Sequence, residues 1–235
     1  MPTLAATATD LREQWERLRA WLEELPDPAS DEPSTLPGWS LGVLVAHLGR
    51  VWDSIRALRT PEPGEDAEPL TLAEYLATYR ADDPERLDRL AHEVAASVRQ
   101  DPLAAIDALA EDALARVDEF VAEGDVVVLA RRGPIWLGDF LVSRLIELVV
   151  HAYDLAPTLP LPPPVDPTAR TLVAQALLDV GTQRTGTAIE VADETAWVLA
   201  ASGRLDWRSA VARGAVRPSA VSDGTPDLTD ALPLL

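Results

Sequence analysis

The chain contains no cysteine among its 235 residues. Disulfides, thiolate nucleophiles and cysteine-bound zinc or iron-sulfur clusters are therefore excluded. Lysine and asparagine are also absent, so all 20 basic residues are arginine. The chain can form neither a lysine Schiff base nor the lysine-containing phosphate loop of many nucleotide-binding proteins. Any metal that it binds must take nitrogen and oxygen ligands.

Positive charge is scarce as well, because 39 acidic residues outnumber the 20 arginines and the formal net charge is −19. Nucleic acids and anionic membranes are bound through basic patches, so neither is an expected partner. No window approaches the roughly 18 consecutive apolar residues that a membrane span needs, and the first residues do not resemble a signal peptide. We expect a cytoplasmic protein. The excess of alanine, arginine, proline and valine is typical of a GC-rich genome such as an actinobacterial one.

Apolar residues recur at helical spacing through most of the first 155 positions. Ser40 is a good N-cap for a second helix, and Thr71 with Glu74 forms a capping box that opens a third. Asp139 is the expected cap of the most apolar helix, which must be buried on most sides, as the central member of a bundle would be. The predicted elements are helices at 4–25, 41–58, from 71 onward, from Pro84 or Pro102 to about 122, and 140–155, with a strand or hairpin arm at 126–129.

A proline-rich segment at 157–164 favours an extended connection and marks the predicted domain boundary. Residues 1–160 are expected to form a helical bundle and residues 161–235 a small α/β domain, so the fold class is mainly α. In the second domain the patterns predict helices at about 168–180 and 207–213, strands at 188–191 and 195–200, and a final helical turn at 227–234.

Four ionisable residues share one narrow stripe of the apolar helix at 140–155. They are Arg144, Glu147, His151 and Asp154. Burying such groups is costly unless they are paired or bind a metal, so the stripe predicts a polar interior site. Glu147 and His151 lie one turn apart and can bind the same ion, while His47 borders the apolar stripe of the second helix. Two histidines and a carboxylate match open zinc sites, and they also suit iron or nickel.

Arg144 and Asp154 lie one turn beyond the two ligands. Asp154 could orient a ligand histidine by hydrogen bonding, and Arg144 could hold Glu147 or a substrate carboxylate. The alternative is a structural role without a metal, because a Glu and a His four residues apart often occur by chance on helices. Three further residues are expected to be solvent-exposed or to pack structurally: Arg50, His92 and Trp39.

Two motifs stand about a hundred residues apart. The first is Pro-Gly-Trp at 37–39 followed by Leu-x-Ala-His-Leu at 44–48, and the second is Glu-x-x-x-His at 147–151 followed by Asp-Leu-Ala at 154–156. Both resemble motifs of the maleylpyruvate isomerase family, mycothiol-dependent proteins of the wider DinB-like superfamily. The resemblance implies a DinB-like four-helix bundle that holds zinc through the residues matching the family's ligands, followed by a small α/β C-terminal domain. Those residues are His47, Glu147 and His151.

The resemblance also implies an enzyme that uses mycothiol. Zinc or another divalent metal would bind the cofactor thiol, and the reaction would be either cis/trans isomerisation or thiol transfer to a small electrophilic substrate. In the isomerase an arginine of the C-terminal domain is linked to catalysis, and the sequence leaves four candidates for it: Arg204, Arg208, Arg213 and Arg217. A protein that binds a metal or small ligand without catalysis is the alternative.

Overall fold

The structure is a computed structural model that describes residues 3–25, 30–81, 84–98, 101–155, 161–219 and 226–235. It is mainly α-helical, as the sequence predicts. The helices are α1 (Leu4–Glu23), α2 (Leu41–Arg56), α3 (Leu72–Ala77), α4 (Pro84–Ser97), α5 (Pro102–Glu123), α6 (Leu137–Leu155), α7 (Pro167–Thr185), α8 (Glu194–Ala201) and α9 (Trp207–Ala212). The strands are β1 (Val127–Ala130), β2 (Gly133–Trp136), β3 (Ile189–Val191) and β4 (Val216–Pro218).

A four-helix bundle forms the centre of the fold. Helices α1 and α2 each pack against both α5 and α6, and α4 packs on the outer side of α2. Trp15 of α1 meets Trp52 of α2 across the core, with ring centroids 5.3 Å apart in an edge-to-face arrangement. Aromatic pairs of this kind add to the stability that apolar burial provides. The predicted DinB-like bundle is confirmed.

The N-termini of the helices follow the capping signals in the sequence. The Ser40 hydroxyl accepts a hydrogen bond from Val43 N at the start of α2. Thr71 and Glu74 form the predicted capping box on α3. The helix predicted to continue beyond Thr71 is interrupted: α3 ends at Ala77, a 3-10 turn covers Thr78–Ala81, and α4 begins at Pro84. A proline at the first helical position starts a helix readily, because its missing N–H has no partner there in any case.

Helix α6 is the most deeply buried helix of the bundle, as predicted. It begins at Leu137, so the prediction that Asp139 caps a helix starting at Phe140 is wrong. The Asp125 carboxylate instead accepts a hydrogen bond from Gly138 N, at 2.9 Å. The antiparallel pair β1 and β2 directly precedes α6. Because this hairpin folds the chain back on itself, Asp125, which comes just before β1, lies next to Gly138 and caps the first turn of α6.

The C-terminal part of the chain differs from its prediction in two places. Residues 195–200 belong to α8 and are not a strand, because Asp193 caps the helix and Trp197 packs into the core with its indole N–H donating to Ala174 O. Strand β3 pairs instead with β4, which the sequence analysis missed. The predicted final helical turn is a short turn in which Leu228 O accepts from Ala231 N and Leu232 N.

Core residues of α7 and α8 belong to the same apolar cluster as those of the bundle. The first half of the proline-rich segment, residues 157–160, lies outside the described residues, and the predicted domain boundary lies there too. Division into domains at 1–160 and 161–235 therefore stays a prediction. Among the described residues, no helix combines the length and apolar character needed to cross a bilayer.

Candidate metal centre

Three predicted ligands meet inside the bundle. His47 comes from α2, and Glu147 and His151 come from successive turns of α6. Their candidate ligand atoms all lie within 4.8 Å of one another. His151 Nε2 is 3.3 Å from Glu147 Oε2, and the His47 and His151 rings meet edge to face with centroids 5.1 Å apart. The four-residue spacing on α6 and the packing of α2 against α6 together create this cluster.

His47 packs against the aromatic ring of Trp39. Trp39, which comes just before α2, packs its indole against the His47 imidazole with ring centroids 5.0 Å apart. Burial, helped by the nearby charge of His151, lowers the pKa of His47 to about 3, so the imidazole is neutral. His47 Nδ1 is buried and has no hydrogen-bond partner in the described structure. A buried nitrogen in this state is unusual, and it suits a ring whose role is to bind a metal.

The Nδ1 nitrogen of His151 contacts the carboxylate of Asp154, which in turn pairs with Arg204. His151 Nδ1 lies 3.0 Å from Asp154 Oδ2. Arg204 binds the same carboxylate with two hydrogen bonds, from Nε at 3.1 Å and from Nη2 at 2.7 Å. The Thr35 hydroxyl donates to Asp154 Oδ1 at 3.0 Å. The Asp154 side chain is only 1% exposed, so this carboxylate is buried and surrounded by donors.

The charges of this cluster stabilise one another. Burial disfavours ionised Glu147 and Asp154, but hydrogen bonds from His151 and Arg204 and the neighbouring positive charges outweigh it, and both pKa values lie below their usual range. Burial also disfavours protonated His151, yet the two carboxylates that face its ring raise its pKa. Because an ionised carboxylate can only accept hydrogen bonds, His151 without a metal is favoured in its doubly protonated form.

Arg144 lies on the same face of α6, but its hydrogen-bond partners are hydroxyl groups and not the predicted carboxylate of Glu147. Its guanidinium donates to the hydroxyls of Ser143, Ser54 and Tyr79. It makes no direct ion pair with Glu147, although its charge helps to lower the pKa of that carboxyl. The residue is 8% exposed. A buried cation therefore lies near the three candidate ligands with neutral hydrogen-bond acceptors around it.

Comparison with known proteins shows the family of this chain. A sequence profile described as the mycothiol maleylpyruvate isomerase N-terminal domain matches residues 11–156, which is more than half of the chain. The chain belongs to this family. All three candidate ligands lie within the matched segment. No match is found among curated proteins.

Two solved structures are similar to this chain. The crystal structure of the mycothiol-dependent maleylpyruvate isomerase matches with a TM-score of 0.53 and 18% identity, covering 87% of this chain and 90% of that chain. A mutant of a mycothiol-dependent maleylpyruvate isomerase matches with a TM-score of 0.47 and 20% identity, covering 80% of this chain and 73% of that chain. The first match covers more of the chain than residues 11–156, so its likeness in fold extends into the C-terminal part.

The structure distinguishes the four C-terminal arginines that the family resemblance raised as candidates. All four are exposed residues, and Arg204 is the one among them that forms an ion pair with a residue next to the triad, Asp154; the others are Arg208, Arg213 and Arg217. Arg204 follows the last turn of α8, and its Nη1 also donates to Ser202 O at 2.6 Å. This short loop positions the guanidinium against Asp154. The segment after residue 160 therefore contributes directly to the surroundings of the triad.

Sequence reasoning missed two other residues of the site. Thr35 contacts Asp154 through both its backbone N–H and its hydroxyl, and Tyr79 contacts Arg144. Neither lies in a periodic pattern or a motif that could single it out. Arg50 was expected on the exposed flank of α2, but it is half-buried, and its positive charge contributes to the lowered pKa of His47. His92 is exposed, as predicted, and contacts Asp88.

A cavity of about 680 Å³ lies beside Asp154 and Arg204. Its walls come from the loop before α2, the end of α6 and helix α8, and they include Leu36, Tyr153 and Leu199. This volume falls within the range of small-molecule sites. Asp154 connects the cavity to the triad, because it lines the cavity and contacts His151.

Proposed function

We propose that this protein is a metal-dependent enzyme that uses mycothiol to isomerise a small electrophilic substrate or to transfer the thiol to it. The observation that carries the proposal is the convergence of His47, Glu147 and His151, whose candidate ligand atoms lie within 4.8 Å of one another between α2 and α6. Membership of the mycothiol maleylpyruvate isomerase family supports the choice of thiol. The absence of cysteine from the chain agrees with a thiol supplied from outside.

The residues fit a divalent metal, and zinc is our choice. Two atoms bound to one zinc ion lie about 4 Å apart or less, since each bond to nitrogen or oxygen is about 2.0–2.2 Å long. The contact of 3.3 Å between His151 Nε2 and Glu147 Oε2 already meets this condition. Three protein ligands of this type leave one coordination position for a thiol, water or substrate. The Asp154 contact to His151 is the outer hydrogen bond that metal-binding histidines usually make.

When bound, the metal would supply a Lewis acid that lowers the pKa of a coordinated thiol toward the thiolate. The chain's own residues prepare that position. Asp154 holds the Nδ1 proton of His151, so Nε2 is the nitrogen that would bind the metal once it loses its own proton. Trp39 covers His47 and limits the access of water to it. Arg144 adds positive charge near the place where a thiolate would form.

Isomerisation and thiol transfer both begin with thiolate addition to an electrophile, so the same residues serve either reaction. A cytoplasmic location is part of the proposal, because small thiols are kept reduced there. The partners would be the small-molecule thiol and the substrate, with no nucleic acid and no membrane, in keeping with the net charge of −19.

Metal analysis and activity assays test the proposal together. The purified protein is expected to hold one zinc per chain and to consume electrophiles, including cis-alkene acids, only when mycothiol is present. His47→Ala and His151→Ala should each lose the zinc and the activity. His92→Ala is the matched control, because His92 is an exposed histidine that contacts Asp88 on its own helix, and it should retain both.

Two results would contradict the proposal in different ways. Stoichiometric zinc without mycothiol-dependent turnover across a broad panel of electrophiles would favour a non-catalytic metal-binding protein. A protein that binds no stoichiometric divalent metal, and whose stability and activity do not change with His47→Ala or His151→Ala, would show that the triad is structural.

A further inference from the structure

We propose that residues 228–235 act as a brace that holds the Arg204 guanidinium against Asp154, and that Pro233 and Leu234 of this brace are positioning residues for the metal centre. Arg204 contacts Asp154 beside the triad, and the brace fixes the loop from which Arg204 extends. The effect on metal binding rests on the proposed function, whereas the contacts between the brace and this loop do not.

Leu234 anchors the brace through its backbone and its side chain. Its N–H donates to Ala201 O, at the last residue of α8, and its carbonyl accepts from Arg184 Nη1 of α7, both at 2.7 Å. Arg184 Nη2 also donates to Ala73 O of α3 at 2.7 Å. The Leu234 side chain is fully buried in the apolar core. The brace is therefore bound, directly or through Arg184, to three helices.

Pro233 packs against the loop that carries Arg204. Gly203, the residue before Arg204, has a φ of +78°, and a β-carbon added to it would lie 3.2 Å from Pro233 Cβ. At that distance either the loop or the brace would have to move. Because Pro233 directly precedes the anchored Leu234, its ring is held in place beside Gly203.

The loop after α8 determines where the Arg204 guanidinium lies. Arg204 N donates to Leu199 O at 2.7 Å, and its Nη1 donates to Ser202 O at 2.6 Å. The same guanidinium donates twice to Asp154, which contacts His151 Nδ1. A partly exposed arginine loses conformational entropy when it keeps one geometry, and a backbone that is already fixed lowers this cost. Displacement of the loop is therefore expected to affect His151 through Asp154.

A purely structural role for the brace would be to cover the apolar core. Leu228 and Leu234 do this, since both side chains belong to the core. Covering the core does not require a contact with Gly203, whereas positioning Arg204 does. Pro233 is exposed to solvent, so its ring adds little to the core. Its place against the Arg204 loop is better explained by a role in holding that loop.

Two substitutions disturb the brace by different routes. Gly203→Ala adds a methyl group that would push the loop and Pro233 apart, and Leu234→Ala removes the buried anchor. Gly214→Ala is the matched control for the first. Gly214 has a similar φ of +69°, but a β-carbon there would meet nothing within 4 Å in the described part of the chain.

NMR of the metal-free protein measures the ion pair directly. The Nε–H signal of Arg204 is identified by its loss in Arg204→Gln, and it should be protected from hydrogen exchange because it donates to the buried Asp154 carboxylate. Exchange should be about tenfold faster in Gly203→Ala and Leu234→Ala, since local opening exposes this proton to water. Gly214→Ala should exchange as the wild type does.

Zinc affinity measures the effect on the metal centre. Gly203→Ala and Leu234→Ala should each raise the zinc dissociation constant by about threefold to tenfold, which is below the roughly 10–100-fold typical of a direct partner of a metal-binding histidine. In the Arg204→Gln background neither substitution should raise it further, because residues that act through one another are not additive. A purely structural effect would give the same factor in both backgrounds.

Unchanged exchange of the Arg204 Nε–H in the brace variants would overturn the proposal. Zinc affinities that stay at the wild-type value, or that change equally with and without Arg204, would also overturn it, as would a Gly214→Ala that behaves like Gly203→Ala. Should one of the two brace variants fail to fold, the other decides. A wild type that binds no zinc would contradict the proposed function, while the NMR measurement would still decide whether the brace positions Arg204.

Discussion

Replacing Asp154 with asparagine removes the negative charge behind His151 while preserving the shape of the side chain. In the wild type this carboxylate contacts His151 Nδ1 at 3.0 Å and pairs with Arg204 through two hydrogen bonds. Asparagine can accept through one oxygen only, and its amide nitrogen would face a donor. The variant should therefore lose the orientation of His151 and much of the contact with Arg204.

The expected effect on metal binding is large enough to measure. Changing a group that supports a metal-binding histidine typically weakens metal affinity by about 10–100-fold, or about 1.4–2.7 kcal/mol. Stability should fall by about 2 kcal/mol, since hydrogen bonds to charged groups contribute about 1.5–3 kcal/mol. The Arg204 side chain is 24% exposed and can become hydrated, which keeps the stability loss near the lower end of that range.

Zinc dissociation constants can be measured by competition with a chromophoric chelator at pH 8. The high pH reduces competition from the proton on His151, whose pKa is raised in the metal-free protein. Asp118→Asn is the matched control, because Asp118 also accepts two hydrogen bonds from an arginine, both from Arg12 Nη2 at 3.0 and 3.1 Å, and its side chain is 67% exposed. We expect the control to bind zinc as the wild type does.

A zinc dissociation constant for Asp154→Asn within about threefold of the wild-type value, below the roughly tenfold minimum expected, would refute this reasoning. Asp154 and Arg204 would then stabilise the fold without supporting His151 as a ligand. A weakening as large in Asp118→Asn would equally count against it, since the loss would come from general destabilisation.

Two further predictions concern protonation and the core. At pH 6, zinc binding should release about one proton. His151 has a raised pKa and is protonated at this pH, whereas His47, with a pKa of about 3, is already neutral. The affinity for zinc should therefore rise with pH until His151 is deprotonated. Titration calorimetry in buffers of different ionisation enthalpy measures this number, and a value near zero or two would contradict the assignment. Trp52→Ala should lower the free energy of unfolding by about 3–5 kcal/mol, because Trp52 is fully buried against Trp15. Urea unfolding measures this loss. Trp136→Ala is the control, because Trp136 is 43% exposed and its removal should change the free energy of unfolding little. Equal losses in the two variants would show that burial is not the cause.

The helical bundle and the ligand pair on α6 could be predicted because both depend on local periodicity. Glu147 and His151 lie four residues apart, so any α-helix brings them together whatever surrounds it. The wrong prediction of a strand at residues 195–200 also came from relying on local periodicity. Short apolar segments satisfy strand and helix patterns equally, and only the cap from Asp193 and the packing of Trp197 distinguish them.

Contacts between distant segments could not be predicted, since nothing in the sequence links the residues involved. Thr35 meets Asp154 across 119 positions and Arg204 meets it across 50. Four C-terminal arginines are equivalent in sequence, and the loop after α8 makes one of them part of the site. Tyr79 likewise reaches Arg144 because the 3-10 turn after α3 places it there.

The sequence alone therefore specifies which chemistry is available: nitrogen and oxygen ligands without thiols, arginine as the only permanent cation, and a polar stripe on one apolar helix. Helical periodicity and composition are local properties, and they can be interpreted without knowing the fold. The tertiary structure decides which partners those groups meet. Packing of α2 against α6 completes the triad, and the C-terminal segment pairs Arg204 with Asp154. Neutral partners around Arg144 leave a buried positive charge that local sequence could not reveal.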